Sequence, residues 1–389
     1  MRQTFPTSAI GVLTAFLGLP VVGAVLAGRA LGPLLRFPPP LEIPQDYPRF
    51  SWIAAGLVSG VSALIAVSWM AGRGPGARAR AECPAVKPPA LAPVRPSPPD
   101  HRPFPRWGWA AVAWTLLWWW LAWTRQSWFA WGQRYTFTPL WLGFIASTNA
   151  LTAWRGGASV RPQAPVKWVR LFAASAAFWW VFEWLNRFVQ NWHYRGVAGA
   201  GPWEYAVHST LCFSTVLPAV AAVREWLGTL QRLQTRLGVG PAWAWIGRPG
   251  AAVAMVATGL AGLLLTGAQP LYFYPALWAA PLVIGVGGFV LGRADGWWRE
   301  VAAGDWREAG SWAIAALVCG LFWELWNLHS LAKWVYTIPF VERWRVFEMP
   351  LLGYTGYLTF GLECALATQW VLGSRMNRVT SAQSGDSCR

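Results

Sequence analysis

The chain has 389 residues, 55% of them hydrophobic and only 12% charged, with a formal net charge of +16. A soluble domain carries about 25% charged residues, so this composition excludes an ordinary globular protein and indicates an all-α, polytopic helical membrane protein. The basic residues are spread over many short loops and form no single basic face, which argues against a nucleic-acid partner and leaves membrane lipids as the natural partners of that charge.

Apolar runs long enough to cross a bilayer predict about ten transmembrane helices, near 8–27, 51–71, 108–124, 137–154, 171–190, 204–223, 250–268, 272–292, 310–330 and 349–373. Residues 1–71 then form an N-terminal two-helix membrane unit. Arg2, an apolar core and small residues near Ala27 have the outline of a signal peptide. The long apolar run and the basic Arg29 directly after it favour a retained helix instead. Residues 72–106 are rich in Pro, Ala and Arg without apolar periodicity, and read as a flexible cytoplasmic linker. An eight-helix body follows. Residues 107–249 hold a first four-helix repeat with an interfacial connector, 250–375 a second four-helix repeat, and 376–389 a disordered cytoplasmic tail.

Lys and Arg set the orientation. With the N-terminus inside, the inside segments hold 22 of them and the outside segments 10. Both termini are therefore expected in the cytoplasm of a bacterial-type inner membrane. Two inner connectors, 224–237 and 294–307, mix Trp or Leu with Arg at helical spacing. They fit either amphipathic helices on the inner leaflet or loops packed under the bundle.

Two stretches repeat one pattern: aromatic-Glu-x-x-Asn, a gap, Trp-x-Tyr, a gap, aromatic-Glu. The first copy holds Glu183, Asn186, Trp192, Tyr194 and Glu204; the second holds Glu324, Asn327, Trp334, Tyr336 and Glu348. Phe137-Thr138-Pro139-Leu140 and Phe273-Tyr274-Pro275-Ala276 open corresponding spans, which extends the repeat. Each half has an even number of helices, so the halves should be parallel repeats about an axis along the membrane normal.

An ionisable side chain inside a bilayer is costly, which makes Glu183 and Glu324 functional candidates by default. Glu and Asn three residues apart share one helix face. Low dielectric and mutual repulsion disfavour two ionised acids, so Glu183 and Glu324 suit proton exchange or general-acid chemistry. Asn186, Asn327, Trp192, Tyr194, Trp334, Tyr336, Glu204, Glu348 and His208 are the candidate ligand-binding residues around them. His208 lies four residues after Glu204 and is expected to pair with it. Glu204 and Glu348 should begin the helices that return inward, where a carboxylate caps exposed N–H groups. The blander alternatives are that these acids are caps and that the Glu–Asn pairs are interhelical hydrogen-bond glue. Mid-span tryptophans such as Trp118, Trp119, Trp120, Trp179, Trp180 and Trp323 are expected to pack rather than line a cavity.

The five cysteines are scattered and show no metal-ligand spacing; Cys212, Cys319 and Cys364 read as packing residues. No nucleotide-binding loop, metal motif or cofactor motif is present, so no cofactor or metal is expected. Aromatic rings with carboxylates favour a cationic or amphipathic small molecule, transported or bound, with proton coupling as an option. Intramembrane glutamates in duplicated helical units resemble, in arrangement alone, the membrane-embedded polyene cyclases of the lycopene cyclase type. Their paired-Glu motif after Pro-Leu has no counterpart here, and no residue role is carried over. The alternatives are thus an enzyme acting on a lipid or isoprenoid by Glu acid/base chemistry, and a structural or assembly subunit of a membrane complex.

Overall fold

The computed structural model describes residues 7–39, 43–44, 46–71, 103–157, 165–197 and 199–373. Most of the predicted linker and the predicted tail lie outside these residues. The described chain is predominantly helical. Its helices are α1 (Thr7–Leu26), α2 (Leu31–Leu35), α3 (Trp52–Ala71), α4 (Arg106–Trp123), α5 (Phe137–Trp154), α6 (Pro165–Val189), α7 (Pro202–Phe213), α8 (Val216–Gly228), α9 (Gln231–Leu237), α10 (Pro249–Ala268), α11 (Pro270–Phe273), α12 (Ala276–Leu291), α13 (Trp297–Ala302), α14 (Arg307–Asn327) and α15 (Thr355–Leu372). Four short strands complete the set: β1 (Trp192–Arg195), β2 (Lys333–Tyr336), β3 (Arg345–Val346) and β4 (Met349–Pro350).

Each of the ten apolar segments contains a helix. Pro202–Gly228, Pro249–Ala268 and Arg307–Asn327 combine the length and apolar character needed to cross a bilayer, and associate the chain with a membrane. Gly11–Leu26, Trp52–Ile65 and Ala276–Leu291 are shorter apolar helices.

Three segments depart from the expected continuous helix. The eighth is interrupted at Tyr274–Pro275, between α11 and α12. The sixth is broken at Ser214–Thr215 into α7 and α8. Pro218 has no N–H to give to the carbonyl one turn back. The Ser175 hydroxyl of α6 enters the gap, donating to Phe213 O at 2.6 Å and accepting from Leu217 N at 3.0 Å. The last helix starts at Thr355 rather than near 349. Met349–Pro350 is extended and pairs antiparallel with Arg345–Val346, since a residue before proline is disfavoured in the helical region.

The centre of the bundle is α6, α8, α14 and α15. Helix α8 packs on α5, α6 and α14, and α15 packs on α6, α12 and α14. Leu217, Ala219, Val220 and Ala222 bury most of α8. Helix α1 joins the body through glycine. A Cβ on Gly23 would lie 1.9 Å from Leu264 O, and one on Gly267 would lie 1.9 Å from Pro20 O. Only glycine permits α1 and α10 to approach so closely. Arg29 then ties the end of α1 to the body, donating to Gly267 O at 2.7 Å and Phe188 O at 3.1 Å.

The connectors at 224–237 and 294–307 make contacts with the bundle. Arg224, expected on a polar face, is half-buried and ion-paired with Glu308, which also accepts from Trp312 Nε1 at 2.8 Å. Trp297 and Trp298 of α13 are buried. Burial, reinforced by the nearby carboxylates of Glu308 and Asp305, pushes Glu300 up to about 7.

Candidate functional site

Helices α6 and α14 each end in a carboxylate, then an amide one turn later, then a short strand. The amides act on backbone. Asn186 donates through Nδ2 to Trp192 O at 2.8 Å, and its Oδ1 accepts from Asn191 N at 2.8 Å and Trp192 N at 3.3 Å. Asn327 donates to Trp334 O at 2.7 Å and accepts from Trp334 N at 2.8 Å. Each Asn therefore clamps the strand that follows its own helix. These bonds lie within one helix–strand unit and are not the interhelical bonds of the glue alternative; they use one of the two Nδ2 N–H donors of each Asn.

The two clamped strands meet. β1 and β2 pair antiparallel with Trp192 opposite Tyr336, His193 opposite Val335 and Tyr194 opposite Trp334. Alternate strand residues share a face, so Trp192, Tyr194, Trp334 and Tyr336 form one aromatic layer drawn from both copies of the motif. Removing either amide should weaken the layer as a whole. Asn186→Ala and Asn327→Ala are each expected to destabilise the protein by about 2 kcal/mol, since they strand two or three backbone partners. The double variant should cost less than the sum, because the clamps hold one shared sheet. Thermal unfolding in detergent of the two singles and the double checks this.

The acids sit behind that layer. Glu183 Oε1 accepts from Tyr194 OH at 2.6 Å, Trp192 Nε1 at 3.0 Å and Trp179 Nε1 at 3.0 Å. Glu324 Oε1 accepts from Tyr336 OH at 2.6 Å, Tyr357 OH at 2.9 Å and Trp334 Nε1 at 3.3 Å. Both acids are buried. In each copy, the Trp and Tyr of Trp-x-Tyr bind the Glu that precedes them in the chain. The third donor differs: Trp179 comes from the turn of α6 before Glu183, whereas Tyr357 comes from α15. Gly320, one turn before Glu324, makes room for the Tyr357 ring; a Cβ there would lie 2.5 Å from it.

In front of the layer lies a cavity of about 630 Å³. Its walls include Trp179, Trp192, Tyr194, Trp334, Tyr336 and Tyr357. Phe137, Tyr274 and Pro275, from the two Pro-containing helix openings, also face it. One side is closed by α3 through Leu57, Val61 and Ile65. Neither Glu183 nor Glu324 is among the residues that line it. The expected cluster of four carboxylates around one space is therefore not formed. The rings converge on the cavity and the acids hold them from behind. Trp179 and Trp323 line the cavity, contrary to expectation, while Trp118, Trp119 and Trp120 do not.

The remaining candidates divide. Glu204 lies in the first turn of α7, as expected, and lines the cavity. Its carboxylate is taken by Tyr135 OH at 2.7 Å, not by His208. His208 stands edge-on to Tyr135 at 5.1 Å and contacts Cys212 Sγ through Nε2 at 3.6 Å. Glu348 does not begin a helix. It lies in the turn between β3 and β4 and forms an ion pair with Lys333, because Pro350 delays the helix. His193, on the opposite face of β1, meets Thr337 Oγ1 at 2.9 Å and Gln190 O at 3.0 Å. Burial holds its imidazole below the ordinary histidine value.

Sequence reasoning gave no partner to Trp179, Tyr357 or Tyr135, although it weighed Trp179 and Tyr357 as packing or cavity-lining residues. Trp179 carried a signal, lying four residues before Glu183 on one helix face. Tyr357 carried none, since 33 residues separate it from Glu324.

Comparison with protein-family models, curated proteins and solved structures found no match to this chain.

Proposed function

We propose that this is a multi-pass membrane protein that binds, and by that binding transports or presents, an amphipathic small molecule held between two repeated halves. In this reading all ten apolar segments span the membrane, both termini are cytoplasmic, and the β1–β2 layer lies at the outer end. The repeat is supported by the strand register. Trp192 faces Tyr336 while Tyr194 faces Trp334, the reciprocal pairing that a local twofold axis produces between equivalent strands.

The observation that carries the functional reading is the cavity of about 630 Å³, a size typical of sites for drug-sized ligands. Its lining is dominated by aromatic and aliphatic side chains. Among the polar side chains that reach it, Glu204 and His208 meet Tyr135, and Arg134 lines the same space. An apolar body with a small polar head fits such walls; aromatic faces and Glu204 favour a cationic head.

Gly356 supplies the test. It lines the cavity, and a Cβ on it would meet open space. Gly356→Trp should fill the cavity without disturbing the fold. Native mass spectrometry of protein extracted from membranes should show a bound lipid-like species on the wild type and none on the variant. Equal occupancy of both would sink the reading. The catalytic alternative has its own support, since Tyr336 and Tyr357 are phenols on the cavity wall backed by a buried acid. If Tyr336→Phe and Tyr357→Phe change the membrane's lipid composition while the bound species is retained, the enzyme reading replaces the carrier.

A further inference from the structure

The two acids are not equivalent in their access to water. Behind β1, on the side of Glu183 away from the main cavity, lies a second chamber of about 40 Å³. That is room for one or two water molecules. Glu183 lines it, with Asn186, Arg187, His193 and Tyr205. Pro33 and Gln190 also line it and are exposed, so the chamber reaches the protein surface at the strand end of the bundle. Trp192, Tyr194 and Tyr205 face both the chamber and the main cavity. The three donors to Glu183 all bond Oε1, which leaves Oε2 for the chamber. Glu324 borders neither space among the described residues. It is fully enclosed, and its Oε2 has no hydrogen-bond partner among the described residues.

We infer that Glu183 is a proton site that exchanges with outside water through this chamber, and that its protonation sets the grip on the aromatic wall of the main cavity. A proton from chamber water adds to Oε2 of the carboxylate, and water takes it back on ionisation. The titratable and charged groups around Glu183 are Arg187 on its own helix, His193 and Tyr194 on β1, and Tyr205 on α7; the segment before α3 contributes Pro33 and Pro39. Arg187 is held in place by donation to Leu34 O at 3.1 Å and Arg36 O at 2.7 Å. Hydrogen bonds to an ionised acceptor are about twice as strong as neutral ones. Protonating Glu183 therefore loosens Trp179, Trp192 and Tyr194 together, and these three rings line the ligand cavity. Glu324 is outside this exchange and holds its rings at constant strength.

The control of ligand grip rests on the binding function proposed above; the proton exchange does not, and is tested on ligand-free protein. Infrared difference spectra of the full chain in nanodiscs, recorded across a pH titration, report the carbonyl stretch of protonated carboxylic acids. The expected result is a pH-dependent band that shifts promptly in heavy water, is lost in Glu183→Gln and persists in Glu324→Gln. Pro33→Trp, which closes the chamber mouth and leaves Glu183 in place, should slow the heavy-water shift. It decides the matter if Glu183→Gln does not fold. Absence of a titrating band, its loss in Glu324→Gln alone, or unchanged exchange in Pro33→Trp would overturn the inference. The cavity assignment would survive that failure, because the Gly356→Trp comparison reads occupancy rather than protonation.

Discussion

Glu324→Ala is expected to destabilise the protein by about 4 kcal/mol, enough to deplete it from membranes. The substitution leaves the Tyr336 and Tyr357 hydroxyls with no acceptor, while Trp334 Nε1 keeps its bond to Tyr336 OH at 2.8 Å. Each stranded group costs about 1–3 kcal/mol, and the shortened side chain adds a void. Glu324→Gln keeps a carbonyl oxygen where Oε1 was and should cost only about 1–2 kcal/mol. The contrast between the two variants separates acceptor loss from charge loss. Apparent melting temperatures in detergent, followed by tryptophan emission, should fall in the order wild type, Gln, Ala. A Gln variant as unstable as the Ala variant would show that the negative charge, rather than the acceptor, holds the layer. Glu183→Ala should behave similarly, because it strands the donors on Trp179, Trp192 and Tyr194.

Gly267→Leu should detach α1 from the body, at a cost above about 3 kcal/mol. Overpacking against movable side chains costs about 1–3 kcal/mol, but here the obstacle is backbone. The new Cβ would lie 1.9 Å from Pro20 O and 2.7 Å from Pro20 C. Helix α1 must move away, and the Arg29 bond to Gly267 O is lost with it. Gly23→Leu should reproduce the effect from the other helix, since its Cβ would meet Leu264 O. Gly18→Leu is the control; it lies on the same helix and a Cβ there meets nothing. Limited proteolysis of the purified protein should release the N-terminal segment from the Gly267 and Gly23 variants and leave the Gly18 variant intact. Protection of all three would mean that α1 docks by another surface.

The helices were legible because their signal is local. Apolar runs at Gly11–Leu26, Pro249–Ala268 and Arg307–Asn327 announce themselves by composition. The breaks were less visible. Pro218 hinted at one, but the Ser175 hydroxyl that stabilises it comes from another helix. The extended start at Met349–Pro350 was not visible, because its strand partner Arg345–Val346 could not be read from local composition.

The repeated motif was legible as a list of residues but not as a mechanism. Its spacing placed Glu and Asn on one face and Trp and Tyr on another short element. It did not reveal that Asn186 and Asn327 bind backbone, or that Glu183 and Glu324 stand behind the rings. Acids, amides and indoles pair by hydrogen-bond direction, and spacing along the chain carries no information about direction. Glu204 shows the same limit. Its helix position was correct, while its partner was Tyr135, 69 residues away, rather than the neighbouring His208.

By itself, the order of amino acids determined that this chain is helical, strongly apolar and marked twice by the same acid, amide and aromatic set. Burial cost makes those traits readable, because every long apolar run must leave water and every buried acid must find donors. Only the tertiary structure decided which donors those were, that the two strands pair reciprocally, and that one acid borders a small chamber while the other does not. Such choices depend on contacts between residues far apart in the chain, where a shift of a single ångström separates a hydrogen bond from a void.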